Sequence, residues 1–222
     1  MLKNDKLDAT MKWGYHTANT HFVRFTTLGT ITGHVVNLYL SLLLMSLVCL
    51  TLQFEPFASL AAWQLTPIEH GQWWRILTGN FTHTNFPHLL MNLAALWLCG
   101  FIFKPQSRQL VLVSIGGSIF VGLCLLFSSL TSYVGLSGTL HGLFAFFALK
   151  EALEGRRSSW ILFIAVIAKV TWEQTFGPSA ETAQLINAKV AIQAHLAGMG
   201  TGTLTALANH LLSQHKSRKT AL

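Results

Sequence analysis

Residues 133–149 read Tyr-Val-Gly-Leu-Ser-Gly-Thr-Leu-His-Gly-Leu-Phe-Ala-Phe-Phe-Ala-Leu. The second half of the run is apolar throughout. The first half sets glycines on both sides of Ser137 and an imidazole, His141, one turn later. Hydroxyls and imidazoles are costly inside a bilayer and are kept there mainly for function. A second apolar segment, residues 189–212, carries Ala194-His195-Leu196-Ala197-Gly198. An imidazole that takes the proton of a hydroxyl turns it into a nucleophile. Ser137 and His195 therefore read as a nucleophile and its base, set on two membrane helices.

Working outward, the composition supports the membrane reading. Only 10% of residues are charged and 51% are hydrophobic, with a mean hydropathy of +0.47. Soluble domains carry about 25% charged residues. Six apolar segments approach the roughly 20 residues that cross a bilayer: residues 35–52, 88–103, 110–130, 133–149, 160–174 and 189–212. The expected fold is an all-α, six-helix membrane bundle over 35–212, with tails at 1–34 and 213–222. The first tail has no cleavable-signal pattern, and the first span is expected to be retained. Twelve Lys and Arg fall in the tails and in the 2–3 and 4–5 loops, while the opposite side has Arg75, Lys169 and Lys189. Positive charge marks the cytoplasmic side, so both termini are expected there. This arrangement also explains the basic balance without nucleic acid. Cys49, Cys99 and Cys124 lie in apolar spans and read as small buried hydrophobes, with no disulfide or metal spacing. The loop 53–87 is aromatic and nearly uncharged, as suits the outer headgroup layer.

With this topology spans 2, 4 and 6 run from outside to inside. His88, Asn92, Ser137 and His195 then all lie within about 12 Å of the outer boundary, at about 1.5 Å rise per residue. His88 and Asn92 share a helix face at i, i+4, and their N–H groups suit a developing oxyanion. Gly138 with Gly142, and Gly198 with Gly202, fit the small-xxx-small pattern of closely packed membrane helices. Such packing would bring Ser137 and His195 together. Glu173 is a candidate third member, although a Ser–His dyad with the imidazole oriented by packing is the preferred reading. His141 is expected either to contact His195 or to serve helix packing.

Gly-x-Ser-Gly alone is weak evidence, arising by chance in roughly one chain of this length in ten. The combination is specific. Trp74-Arg75, then His83…His88…Asn92, then Gly135-Leu136-Ser137-Gly138, then Ala194-His195-Leu196-Ala197-Gly198 with Gly202 resembles the rhomboid family of intramembrane serine proteases. The resemblance implies a Ser137 nucleophile, a His195 base, and an oxyanion hole from His88, Asn92 and the Ser137 amide. It places Trp74 and Arg75 in a membrane-embedded loop that His83 supports. One departure stands out: many members have a tyrosine four residues after the serine, where this chain has His141. The strings at 71–85, 135–142 and Trp172-Glu173-Gln174 look most like the rhombosortase branch. That likeness implies a bacterial inner-membrane enzyme, active toward the outer face. Its substrates would be single-span membrane proteins ending in Gly-Gly, a helix and a basic tail. No metal or organic cofactor is implied. The competing readings are a catalytically inactive relative that binds membrane helices, and a haem-binding electron carrier using histidines such as His88 and His195.

Overall fold

The computed structural model describes residues 35–220, so the tail read over 1–34 lies outside the described residues. Six long helices occupy the six apolar segments: α1 (Val35–Thr51), α5 (Phe86–Phe103), α6 (Ser107–Leu125), α7 (Ser137–Leu153), α8 (Ser158–Phe176) and α10 (Ile192–Thr220). Of these, α5 and α6 are long and apolar enough to cross a membrane by length and composition, and α1 is apolar but shorter. Between α1 and α5 the chain folds into α2 (Phe57–Ala61), β1 (Trp63–Gln64), α3 (Leu65–Glu69), α4 (Arg75–Thr78) and a 3-10 turn at Gly79–Phe81. Between α6 and α7 lies β2 (Ser132–Tyr133), and between α8 and α10 lies α9 (Ala180–Ile186).

Helix starts are fixed by local chemistry. The Asn85 side chain accepts a hydrogen bond from the His88 amide and Pro87 occupies the first turn, so α5 begins with His88 in that turn. A cap of this kind contributes about 1 kcal/mol. The fourth apolar segment, expected from residue 133, becomes helical only at Ser137. Gly135 has φ +128°, a conformation closed to most L-residues and incompatible with helix. The sixth continues past 212 to Thr220. Its end contains no glycine or proline, and Arg218 and Lys219 in the last turn favour the negative end of the helix dipole. The segment read as a C-terminal tail is thus mostly helical.

The α7–α10 seam sets the architecture. A Cβ added at Gly198 would fall 1.8 Å from the Gly138 carbonyl oxygen, and one at Gly202 would fall 2.0 Å from that of Gly142. Two backbones are in direct contact, which only glycine allows. Leu42, Leu89, Leu96, Leu136, Leu143 and Phe146 fill the core beside this seam. Outward-facing Leu44, Leu90, Phe101, Ile161, Ile164 and Leu211 are exposed. So much apolar surface on several helices suits lipid rather than water.

The loop before α5 is clamped to the bundle. Trp63, fully buried, donates from Nε1 to the Gly122 carbonyl (3.0 Å) on α6. Its strand pairs antiparallel with β2, Trp63 opposite Tyr133. This two-residue ladder is absent from the all-α expectation. It ties the loop to the segment that delivers Ser137.

Candidate active site

Ser137 is the first residue of α7, His88 lies in the first turn of α5, and His195 lies in the first turn of α10. Glu173 comes from the last turn of α8, which runs the opposite way. Four helix ends therefore meet at one level. The cavity between them, about 950 Å³, is lined by Ser137, His195, Glu173, His88, Asn92 and Met91, among others.

The central contact is between Ser137 Oγ and His195 Nε2, at 3.0 Å. On the far side of the ring, His195 Nδ1 lies 2.7 Å from Glu173 Oε2. A carboxylate only accepts, so Nδ1 carries the hydrogen, and Nε2 is left with a lone pair facing the serine hydroxyl. This is the tautomer a general base needs. The sequence reading preferred a dyad oriented by packing; instead, a buried carboxylate holds the imidazole. The other oxygen of Glu173 accepts from Lys169 one turn earlier. An ionisable pair within an apolar segment was the available sequence signal. The separation of 22 residues between Glu173 and His195 belongs to no local motif.

His141 stacks on His195, ring centroids 4.1 Å apart and planes 20° from parallel. Its Nδ1–H donates to the Ser137 carbonyl at 2.8 Å. One ring thus supports both the His195 imidazole and the backbone of Ser137.

The opposite wall holds a buried donor without a partner among the described residues. Asn92 is buried, and its Nδ2 has no hydrogen-bond partner among the described residues. Leaving an amide donor buried and unbonded costs about 1–3 kcal/mol, so an acceptor belongs there. Gly135 sits between this wall and Ser137. A Cβ on Gly135 would lie 2.8 Å from His88 Nε2 and 3.7 Å from Asn92 Nδ2, so the glycine is required by space as well as by φ. Gly138, on the next turn, faces the Ala194 carbonyl, where a Cβ would lie 2.9 Å away. His83 packs edge-to-face on His88 at 5.0 Å. Burial, then the neighbouring His88, lower its pKa to about 3, so it is neutral.

Trp74 and Arg75 stand apart from the cavity lining. Arg75 is buried and holds the loop, donating to the Gln72 side chain (2.7 Å) and the carbonyls of Ser59 (2.8 Å) and Ala62 (2.6 Å). Trp74 is exposed and donates to the Leu60 carbonyl at 3.1 Å. Two residues at the site escaped the sequence reading. Tyr133 is buried and donates to the Gly135 carbonyl at 2.5 Å, fixing the turn before Ser137. Thr84 touches both His88 and the end of α9. Neither residue type is unusual where it stands, so nothing in the sequence marks them.

The Rhomboid domain family model matches residues 70–211, a span that contains Ser137, His195, Glu173, His88, Asn92 and Met91 of the cavity wall. A protein of Bacillus subtilis (strain 168), described as "Putative rhomboid protease YdcA", is 26% identical over 165 residues. The alignment covers 68% of this chain and 73% of that protein.

Proposed function

The chain belongs to the rhomboid family, whose members are membrane-embedded, and we propose that it is an intramembrane serine endopeptidase with Ser137 as nucleophile and His195 as base. The observation that carries this reading is the continuous hydrogen-bond line from Ser137 Oγ through His195 to Glu173. The line lies beside the unbonded Asn92 amide in a cavity. Ser137 Oγ attacks the scissile carbonyl carbon as its proton passes to His195 Nε2. The carbonyl oxygen becomes an oxyanion facing Asn92 Nδ2, the Ser137 amide and His88. His195 then returns the proton to the leaving amine, and an acyl-enzyme remains on Ser137. Water, or another nucleophile activated by His195, releases the acyl group. Glu173 keeps Nδ1 protonated throughout and stabilises the imidazolium that forms. His141 supports the ring by stacking.

In the proposed topology all six long helices span the bacterial inner membrane, both termini are cytoplasmic, and the cavity opens toward the outer face. A substrate anchored by a C-terminal helix with a basic tail would present the outer end of that helix at this depth. A Gly-Gly pair there would unwind readily, since each glycine weakens a helix by about 1 kcal/mol. Cleavage of a Gly-Gly, helix and basic-tail signal, as in the rhombosortase branch, is the proposed activity. An inactive relative is disfavoured because Ser137 and His195 sit at bonding distance. A haem ligand role is disfavoured because both nitrogens of His195 are engaged.

The test is processing of a membrane-anchored reporter that ends in Gly-Gly, a helix and a basic tail. Ser137→Ala and His195→Ala are each expected to abolish processing while the protein stays folded and inserted. Replacing both glycines with leucine should slow cleavage sharply, and mass spectrometry of the new C-terminus should place the cut at or beside them. Processing by Ser137→Ala at the normal rate would overturn the protease reading. Unchanged cleavage of the leucine reporter would overturn the substrate reading alone.

A further inference from the structure

Thr84 stands between the oxyanion wall and α9, and proton counting gives it a role. Its Oγ1 lies 2.7 Å from the Ile186 carbonyl oxygen, at the last residue of α9. A carbonyl only accepts, so the single hydrogen of the Thr84 hydroxyl is committed to Ile186. The same Oγ1 lies 3.1 Å from His88 Nδ1. With its hydrogen spent, the hydroxyl can only accept there, so His88 Nδ1 is the protonated nitrogen. A neutral imidazole carries one N–H. The Nε2 of His88, which faces Gly135 and the cavity, therefore presents a lone pair. In this arrangement His88 cannot donate to an oxyanion.

We propose that Thr84 is a positioning residue that makes the His88 donor conditional on the place of α9. When the Ile186 carbonyl moves off, the Thr84 hydroxyl is free to turn and donate to His88 Nδ1. Cavity water then delivers a proton to Nε2 as the proton on Nδ1 leaves to water. The imidazole stays neutral and its N–H points into the cavity. The coupling has a second strand: Asn85 Nδ2 donates to the Leu185 carbonyl at 3.0 Å, so α9 is fastened to the start of α5 by two adjacent residues. A substrate that displaces the end of α9 would thereby arm the oxyanion hole, and an empty site would remain unarmed. This rests on the protease reading for its consequence, but the tautomer itself does not.

The experiment uses the full chain in detergent micelles with 15N-labelled histidine. Long-range 15N–1H correlation reads the tautomer, and the His88 signals are assigned by their loss in His88→Gln. The Ser137→Ala background is expected to show His88 protonated at Nδ1. Replacing residues 180–186 with a Gly-Ser linker of equal length should move the proton to Nε2. The same replacement in Thr84→Val should give no such move. Thr84→Val should also lower kcat for the reporter by roughly 10- to 100-fold with KM little changed, approaching the loss of one oxyanion donor. Thr84→Ser should restore kcat to within about 3-fold of the parent, well inside the loss of that donor. A resting His88 protonated at Nε2, or wild-type kcat in Thr84→Val, would overturn the inference. Neither result touches the protease reading, which falls only if Ser137→Ala cleaves.

Discussion

At the scale of single residues, the site is a set of proton assignments. His195 and His88 are both histidines in the first turn of a helix, and their partners dictate the same tautomer, with the hydrogen on Nδ1. A carboxylate faces Nδ1 of His195, leaving Nε2 bare to accept from Ser137. Glu173→Gln tests this. The glutamine amide can donate to Nδ1, and the ring then carries its hydrogen on Nε2, where it no longer accepts the serine proton. Turnover of the reporter should fall by roughly 10²- to 10⁴-fold, with the helical fold retained by circular dichroism. Activity within 3-fold of wild type would return the site to a dyad. Ser137, His195, His88 and Asn92 were legible in the sequence because each is polar at the start of an apolar segment. The role of Glu173 was not. It lies at the end of its helix, 22 positions from its partner, and only the packing of α8 beside α10 joins them.

At the scale of elements, Ser137 and His195 are brought together by backbone contact between α7 and α10. The glycine spacing in the sequence foretold a close approach and the structure gives its register: Gly138 against Ala194 and Gly198, Gly142 against Gly198 and Gly202. Gly198→Ala would press a methyl group into the Gly138 carbonyl. Overpacking typically costs about 1–3 kcal/mol, and here backbone, not a flexible side chain, must give way. We expect a lower thermal midpoint in detergent and a loss of cleavage larger than the loss of folded protein, because the shift separates Ser137 from His195. Gly116→Ala, with open space at its Cβ, is the control and should leave both unchanged. The boundaries of the elements were less legible. The turn at Gly135 and the ladder of Trp63 with Tyr133 depend on long-range pairing, which hydrophobic periodicity does not carry.

At the scale of the whole molecule, the polar chemistry gathers at one end of the bundle and much of the basic charge at the other. Lys104, Arg108 and Lys150 line a second cleft where α5 and α7 end and α6 begins, with Asn209 of α10 beside them. Charge in the loops set the expected orientation, and accessibility tests it. In a cysteine-free background, Thr131→Cys should react with an impermeant thiol reagent on intact cells, and Ser217→Cys should react only after permeabilisation. The reverse pattern would turn the cavity toward the cytoplasm. One further consequence follows from the glycine seam. Ser137 and His195 ride on two helices locked main chain to main chain, whereas Asn92 and His88 ride on α5, which meets α7 much less extensively. One half of the site is thus welded and the other only lightly packed. Gentle loosening, by heat or a harsh detergent, should spare the generator of the nucleophile and blur the cradle for the charge it creates. Such a preparation would look intact by every measure of fold and fail at the chemistry alone.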